Sequence, residues 1–237
     1  MENYRDVATK EIKDEKVLKF MNSCFDELEA HSIKIIVSEN SQVNTRDDNK
    51  GLNCSGFFED RPVARLAIAT GKPLEEWLPI FAHEFCHFRQ YKEQSKYWTD
   101  IFTEMNGELV EATAIIDRWL DGEIELEQDR LNHLIRIAQQ VERDCERRTV
   151  DLIKQFDLPI DIKDYSKKAN AYTEFYSRLK ETRLWYPSGG APYQLESVYS
   201  AAPDVAMSAE DAPPQELTDA LAAAYPVPSK PKSSLQP

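Results

Sequence analysis

Hydrophobic and polar positions divide the chain into a short β-rich stretch and a longer helical one. A helical pattern opens the ordered part, over about Asp14–Ala30. IKIIVSEN (33–40) is β-branched and bounded by polar residues, which predicts a strand. The polar run SQVNTRDDNKG reads as a loop, and CSGFF (54–58) and RLAIAT (65–70) as two more short strands. Gly71 and Pro73 then break the pattern, and a helix is predicted over about 74–93. Long helical patterns follow over about 99–120, 126–156 and 162–185. A small sheet followed by helices indicates an α+β domain, over residues 1–186.

Composition changes near Pro187. Residues 187–237 hold 9 of the 13 prolines and only two basic residues, Lys230 and Lys232. Residues 187–210 keep aromatic and aliphatic side chains and read as a partly packed extension. Residues 211–237 read as a disordered acidic Pro/Ala-rich tail, with room for a short helix near Glu216–Ala224. No internal repeat is present.

The net charge of -13 argues against nucleic acid as a partner, because an acidic surface repels phosphate. No basic amphipathic stretch or long apolar run points to a membrane. The charged start MENYRDVATKEIKDEK has no apolar segment of the kind that directs secretion. Cys24, Cys54, Cys86 and Cys145 are scattered, without a Cys-x-x-Cys pair, and read as reduced thiols of a cytoplasmic protein.

The chemistry concentrates in IFAHEFCHF (80–88). With His83 at 0° on a helical wheel, His87 falls at about 40° and Glu84 at about 100°, while Phe81, Phe85 and Phe88 cluster between about 140° and 200°. The phenylalanines form one apolar face, and the histidines and glutamate point elsewhere together. Histidines four apart stand one turn above each other and can share a metal ion. The offset glutamate can reach water at that metal. The residues between and beside them, Ala82, Phe85, Cys86 and Phe88, are uncharged, as a buried site helix needs; Arg89 is the departure.

A catalytic zinc takes three protein ligands and leaves a position for water. His31 sits at a helix-to-strand junction and His133 points away from its helix's apolar stripe, so a carboxylate is the expected third ligand. In the helix 126–156 the apolar stripe runs through Leu131, Leu134, Ile135, Ala138, Val141, Cys145, Leu152, Ile153 and Phe156. Glu142 falls inside it, and an inward carboxylate is costly unless paired or bound to a cation. Glu146, one turn later, can hold a ligating histidine through its other ring nitrogen. Glu108 and Glu111 in GELVEA are rivals to Glu142, with Glu108 nearer the apolar face of the helix predicted there; Cys145 is a further alternative.

His-Glu-x-x-His followed by Glu142-Arg143-Asp144-Cys145-Glu146 resembles the two motifs of gluzincin-type metallopeptidases, including the ImmA/IrrE-like group, and the whole chain resembles predicted metallopeptidases of bacteriophage genomes. Cys145 stands where that pattern has a small alanine, and Glu146 where it has Asp or Asn. The interval from His87 to Glu142 is longer than in the ImmA/IrrE-like group. The resemblance covers about residues 33–156. It implies a zinc-dependent, zincin-like peptidase fold with a bound Zn2+; a protein or peptide substrate is the expectation for such a site, and which one does not follow. It also suggests that the strand Arg65, Leu66, Ala67, Ile68 and Ala69 lies along an extended substrate by main-chain pairing.

On this reading His83, His87 and Glu142 hold the zinc, Glu84 is the general base, and Glu146 supports a ligand. Manganese, cobalt or iron could occupy the same donors. Tyr172 and Tyr176 fall on the apolar stripe of the last helix and read as core; Cys86 and Cys145 read as small apolar packing groups. The competing expectation is a catalytically silent, metal-stabilised binding or virion-associated protein whose acidic tail is the working part. If phage-encoded, it would act in the host cytoplasm or the virion.

Overall fold

The structure is a computed structural model that describes residues 3–46, 51–187 and 189–227. It is α+β. In chain order the elements are α1 (Tyr4–Thr9), α2 (Glu15–Ala30), β1 (Lys34–Ser38), β2 (Val43–Asn44), β3 (Asn53–Cys54), β4 (Gly56–Glu59), β5 (Arg65–Ala69), α3 (Leu74–Glu93), α4 (Lys96–Asp100), β6 (Phe102–Met105), β7 (Glu108–Glu111), α5 (Ala112–Leu120), α6 (Gln128–Phe156), α7 (Ile162–Thr182), α8 (Glu196–Ala201) and α9 (Gln215–Ala224). Among the described residues no helix is long and apolar enough to cross a membrane.

Packing separates the chain into two units. The first comprises Met1–Thr99 and Asp144–Tyr165, the second Asp100–Arg143 and Ser166–Pro237.

In the first unit α2 starts where the Asp14 side chain accepts the main-chain N–H groups of Lys16 and Val17, satisfying two donors that the first turn cannot. Its buried residues, Val17, Phe20, Met21, Cys24, Phe25 and Leu28, recur at helical spacing. The sheet has the order β1-β5-β4, with β1 parallel and β4 antiparallel to β5. Helix α3 packs on β4 and β5. The fit is close at Gly56, where a Cβ would stand 3.0 Å from Ile80 Cγ2 and 3.1 Å from the Ala67 carbonyl oxygen. Phe20, Phe25, Phe81, Phe85 and Phe88 are fully buried; Phe20 and Phe25 meet Phe81 edge to face, an arrangement ring quadrupoles favour, while Phe81 and Phe85 stack. The aromatic face of α3 is therefore the face that anchors it. Arg89, the charge that departs from the pattern, lies over the Phe85 ring and pairs with Glu27 of α2 at 3.0 Å. α3 ends at Gln94, which takes the left-handed conformation while its N–H and that of Ser95 close the last turn.

The second unit contains the β6–β7 hairpin, α5, the first part of α6, most of α7, and α8 and α9. A continuous helix over 99–120 was expected; a hairpin replaces its middle. Asn106 and Gly107 both have positive φ, the pair of conformations that a tight two-residue hairpin turn demands. Asn170 of α7 donates to the carbonyls of Pro203 and Val205 and accepts the N–H of Met207, so residues 203–207 are tied to the helix. α9 lies where a short helix was expected in the Pro/Ala-rich tail. α9 buries Leu217 and Leu221 completely and packs with α8, because these two leucines, four apart, give the alanine-rich segment an apolar edge. Residues 228–237 lie outside the described residues.

Candidate metal centre

His83 and His87 stand one turn apart on α3, with their rings nearly perpendicular and centroids 4.6 Å apart. Their Nε2 atoms face each other at 3.0 Å. Each Nδ1 has a partner of its own. His83 Nδ1 lies 3.3 Å from Glu146 Oε1, and the other Glu146 oxygen accepts the Tyr165 hydroxyl. His87 Nδ1 lies 2.9 Å from Gln90 Oε1, and Gln90 Nε2 donates to Asp144 Oδ2 at 2.9 Å. His87, Gln90, Asp144, Cys145 and Glu146 are all buried, and Gln90 has no exposed surface.

Electrostatics follow from this crowding. Burial opposes a charge on His83, but the neighbouring Cys145 and Glu146 outweigh it and hold the ring well above the ordinary histidine value. Burial also opposes the Asp144 charge. Hydrogen bonds from Gln90 and Arg148, with Arg147 added, nevertheless keep that carboxyl below its usual value. The buried Tyr165 phenol is pushed up by burial and by the Glu146 carboxylate, so it stays a donor.

Among the described residues, His83, His87 and Cys145 form a group whose ligating atoms lie within 4.8 Å of one another. The sulfur of Cys145 is 3.2 Å from the His83 carbonyl oxygen, to which it donates, and 3.6 Å from His83 Nδ1. It thus contacts the nitrogen that Glu146 also holds, whereas the facing pair is Nε2 with Nε2. The donors suit zinc. Two imidazoles on one tetrahedral ion, each at about 2.0–2.1 Å, place their nitrogens about 3.3 Å apart, a few tenths from the spacing present.

Glu84 is half-buried, and its charge, after burial itself, helps push the Cys54 thiol of β3 up to about 11. Glu146, expected beside a histidine, is the residue 3.3 Å from His83 Nδ1. Glu142 belongs to the second unit, one turn before Glu146 on α6, where its charge adds to burial in raising the Tyr172 and Tyr176 phenols. Those two hydroxyls lie 3.3 Å apart.

Two expectations are corrected. Glu108 and Glu111 are exposed residues of strand β7, so the helical-face argument for Glu108 does not hold. The strand Arg65–Ala69, expected along the substrate, is the central strand β5: β1 and β4 occupy both its hydrogen-bonding edges, and Leu66, Ala67, Ile68 and Ala69 are buried. No edge is left there for a third strand.

Sequence reasoning missed Gln90, Asp144 and Tyr165. Gln90 was findable, as a polar residue three beyond His87 on the same helix face. Asp144 and Tyr165 depend on how α6 and the start of α7 pack, which no local spacing reveals.

Compared with known proteins, the chain matches no protein-family model, no curated protein and no solved structure.

Proposed function

We propose that the protein is a zinc-dependent hydrolase of peptide bonds, with Glu84 as its general base. The observation that carries this reading is the facing Nε2 pair of His83 and His87, with each opposite ring nitrogen held by a buried acceptor. Ligating histidines are typically held in this way. Zinc bound by these histidines would supply a Lewis acid and a water acidified to near neutrality. The third ligand comes from the α6 turn that carries Glu142, Cys145 and Glu146. Glu142 is the candidate from the sequence, and Cys145 is its rival, the one whose ligating atom groups with those of His83 and His87. Glu84 takes the proton of the attacking water at its carboxylate and returns it to the leaving amine, giving a free carboxylate and a free amine. Glu146 and Gln90 keep the rings from turning. An extended substrate would pair with the outer edge of β4 rather than with β5. In support, β4 is an edge strand and packs against α3.

Metal content measured by mass spectrometry tests the reading first. About one zinc per chain is expected in the wild type, with none after His83→Ala or His87→Ala in a folded chain. Loss in Glu142→Ala assigns the third ligand to Glu142, and loss in Cys145→Ser assigns it to the thiol. A folded wild type that takes up no added zinc overturns the proposal.

A further inference from the structure

The two histidines are gripped from one helix turn, Asp144–Glu146, but by different means. His83 Nδ1 meets the Glu146 carboxylate directly. His87 Nδ1 meets Asp144 only through an intervening amide, that of Gln90. We propose that Gln90 and Asp144 are a positioning pair that sets the tautomer of His87, Asp144 acting on the ring through the orientation of the Gln90 amide. This rests on the metal-site reading, since its purpose is to present His87 Nε2 to an ion.

The argument is one of donors and acceptors. An ionised carboxylate only accepts, so the NH2 end of Gln90 must face Asp144. Its carbonyl end then faces His87. A carbonyl also only accepts, so His87 Nδ1 must carry hydrogen. A neutral imidazole has one N–H, which leaves the Nε2 lone pair turned towards His83. The amide is fully buried, so reversing it would set NH2 against N–H and carbonyl against carboxylate with no water to relieve either clash. Asp144 is itself fixed. Oδ2 accepts Arg148 Nε at 2.7 Å as well as Gln90, and Oδ1 accepts Arg147 Nη2 at 3.2 Å. The two rings are consequently not equivalent: His83 is backed by a charge and His87 by a dipole.

The test uses the full-length chain, labelled with 15N and free of metal, with nitrogen–proton correlation spectra of the histidine rings to read the tautomer. Zinc affinity is measured alongside by competition with a chelator. In the wild type, His87 should be in the Nδ1–H form. Gln90→Met keeps the shape but loses both polar ends. It should give a mixture of tautomers and weaken zinc about 10- to 100-fold, the usual cost of removing a support behind a ligand. Asp144→Asn loses its ion pairs, yet its amide oxygen can still accept from Gln90 and Arg148; the tautomer should be unchanged, and zinc affinity should fall by less than in Gln90→Met. Asp144→Leu should behave like Gln90→Met. A role in packing alone would not separate the Asn and Leu variants in this way. An Nε2–H tautomer for His87 in the wild type overturns the proposal without any variant. So does a folded Gln90→Met with wild-type tautomer and affinity. If the wild type binds no zinc, the hydrolase reading fails, while the tautomer still decides whether the pair works as described.

Discussion

The two units bury ionisable groups for different ends. In the first, Asp144, Glu146, Gln90 and Tyr165 converge on two imidazoles. In the second, Arg143 Nη2 donates to Glu174 at 2.6 Å and Arg143 Nη1 to the Asp211 carbonyl, while Ser177 also donates to Glu174. Burial lifts the Glu174 carboxyl above its ordinary value, although Ser177 and Arg143 pull the other way. Both clusters satisfy the rule that buried charge needs a partner, yet only one has the donor atoms of a metal site. Burial of a carboxylate therefore does not by itself mark chemistry; what matters is which atoms its partners leave directed at a common point.

The contrast can be broken most severely at Glu84. On the proposed reading, Glu84→Gln should lower peptide hydrolysis about 10²- to 10⁴-fold while zinc content stays at the wild-type level, measured by turnover and mass spectrometry on the same sample. In the second unit, Arg143→Met should cost about 3–5 kcal/mol in denaturant unfolding, because it strands a buried carboxylate. The double replacement Arg143→Met with Glu174→Leu should recover most of that loss, and neither variant should alter His83 or His87 ring signals. A double variant no more stable than the single one would mean that the ion pair contributes net stability. Leu217→Ala should cost about 2–5 kcal/mol, as expected for a fully buried leucine and not for a residue of a disordered tail.

The smallest effect concerns pH. Burial works to raise the Glu27 carboxyl, but Arg89 and Lys92 hold it below the reference value of 4.5. A carboxyl depressed on folding contributes its stability above the unfolded pKa and loses it as pH falls through the folded value. The melting temperatures of wild type and Glu27→Gln should therefore differ slightly at neutral pH, draw together as pH falls from 4.5, and converge only below the depressed folded value. A difference that persists at lower pH would show that the effect is not electrostatic.

Much of this was legible in the sequence. α3 falls at its predicted bounds, because an apolar face of three phenylalanines and the Gly71–Pro73 break define it locally. Glu146 was assigned its support of a histidine from one wheel position. The hairpin at Asn106–Gly107 was not read, since a helical period over 99–120 was allowed to override a turn dipeptide. The order β1-β5-β4 was also out of reach, because strand order depends on pairing between distant segments. So β5, the most apolar strand, looked available when it is central. The argument that selected Glu142 applies with equal force to Glu174, whose cation is an arginine; periodicity shows that a charge points inward and not what meets it.

The first unit is discontinuous in sequence, and that has a consequence during synthesis. A nascent chain that has just completed His87 still lacks the turn that steadies either ring, since Asp144, Glu146 and Tyr165 have not been made. At about 5–20 residues per second, the ribosome needs several seconds more to deliver them. The histidine pair is therefore assembled late, after residues 100–143 have been made. On the proposed reading, a hydrolytic centre that depends on its last-made supports stays silent while its own chain is still unfolded and open to cleavage.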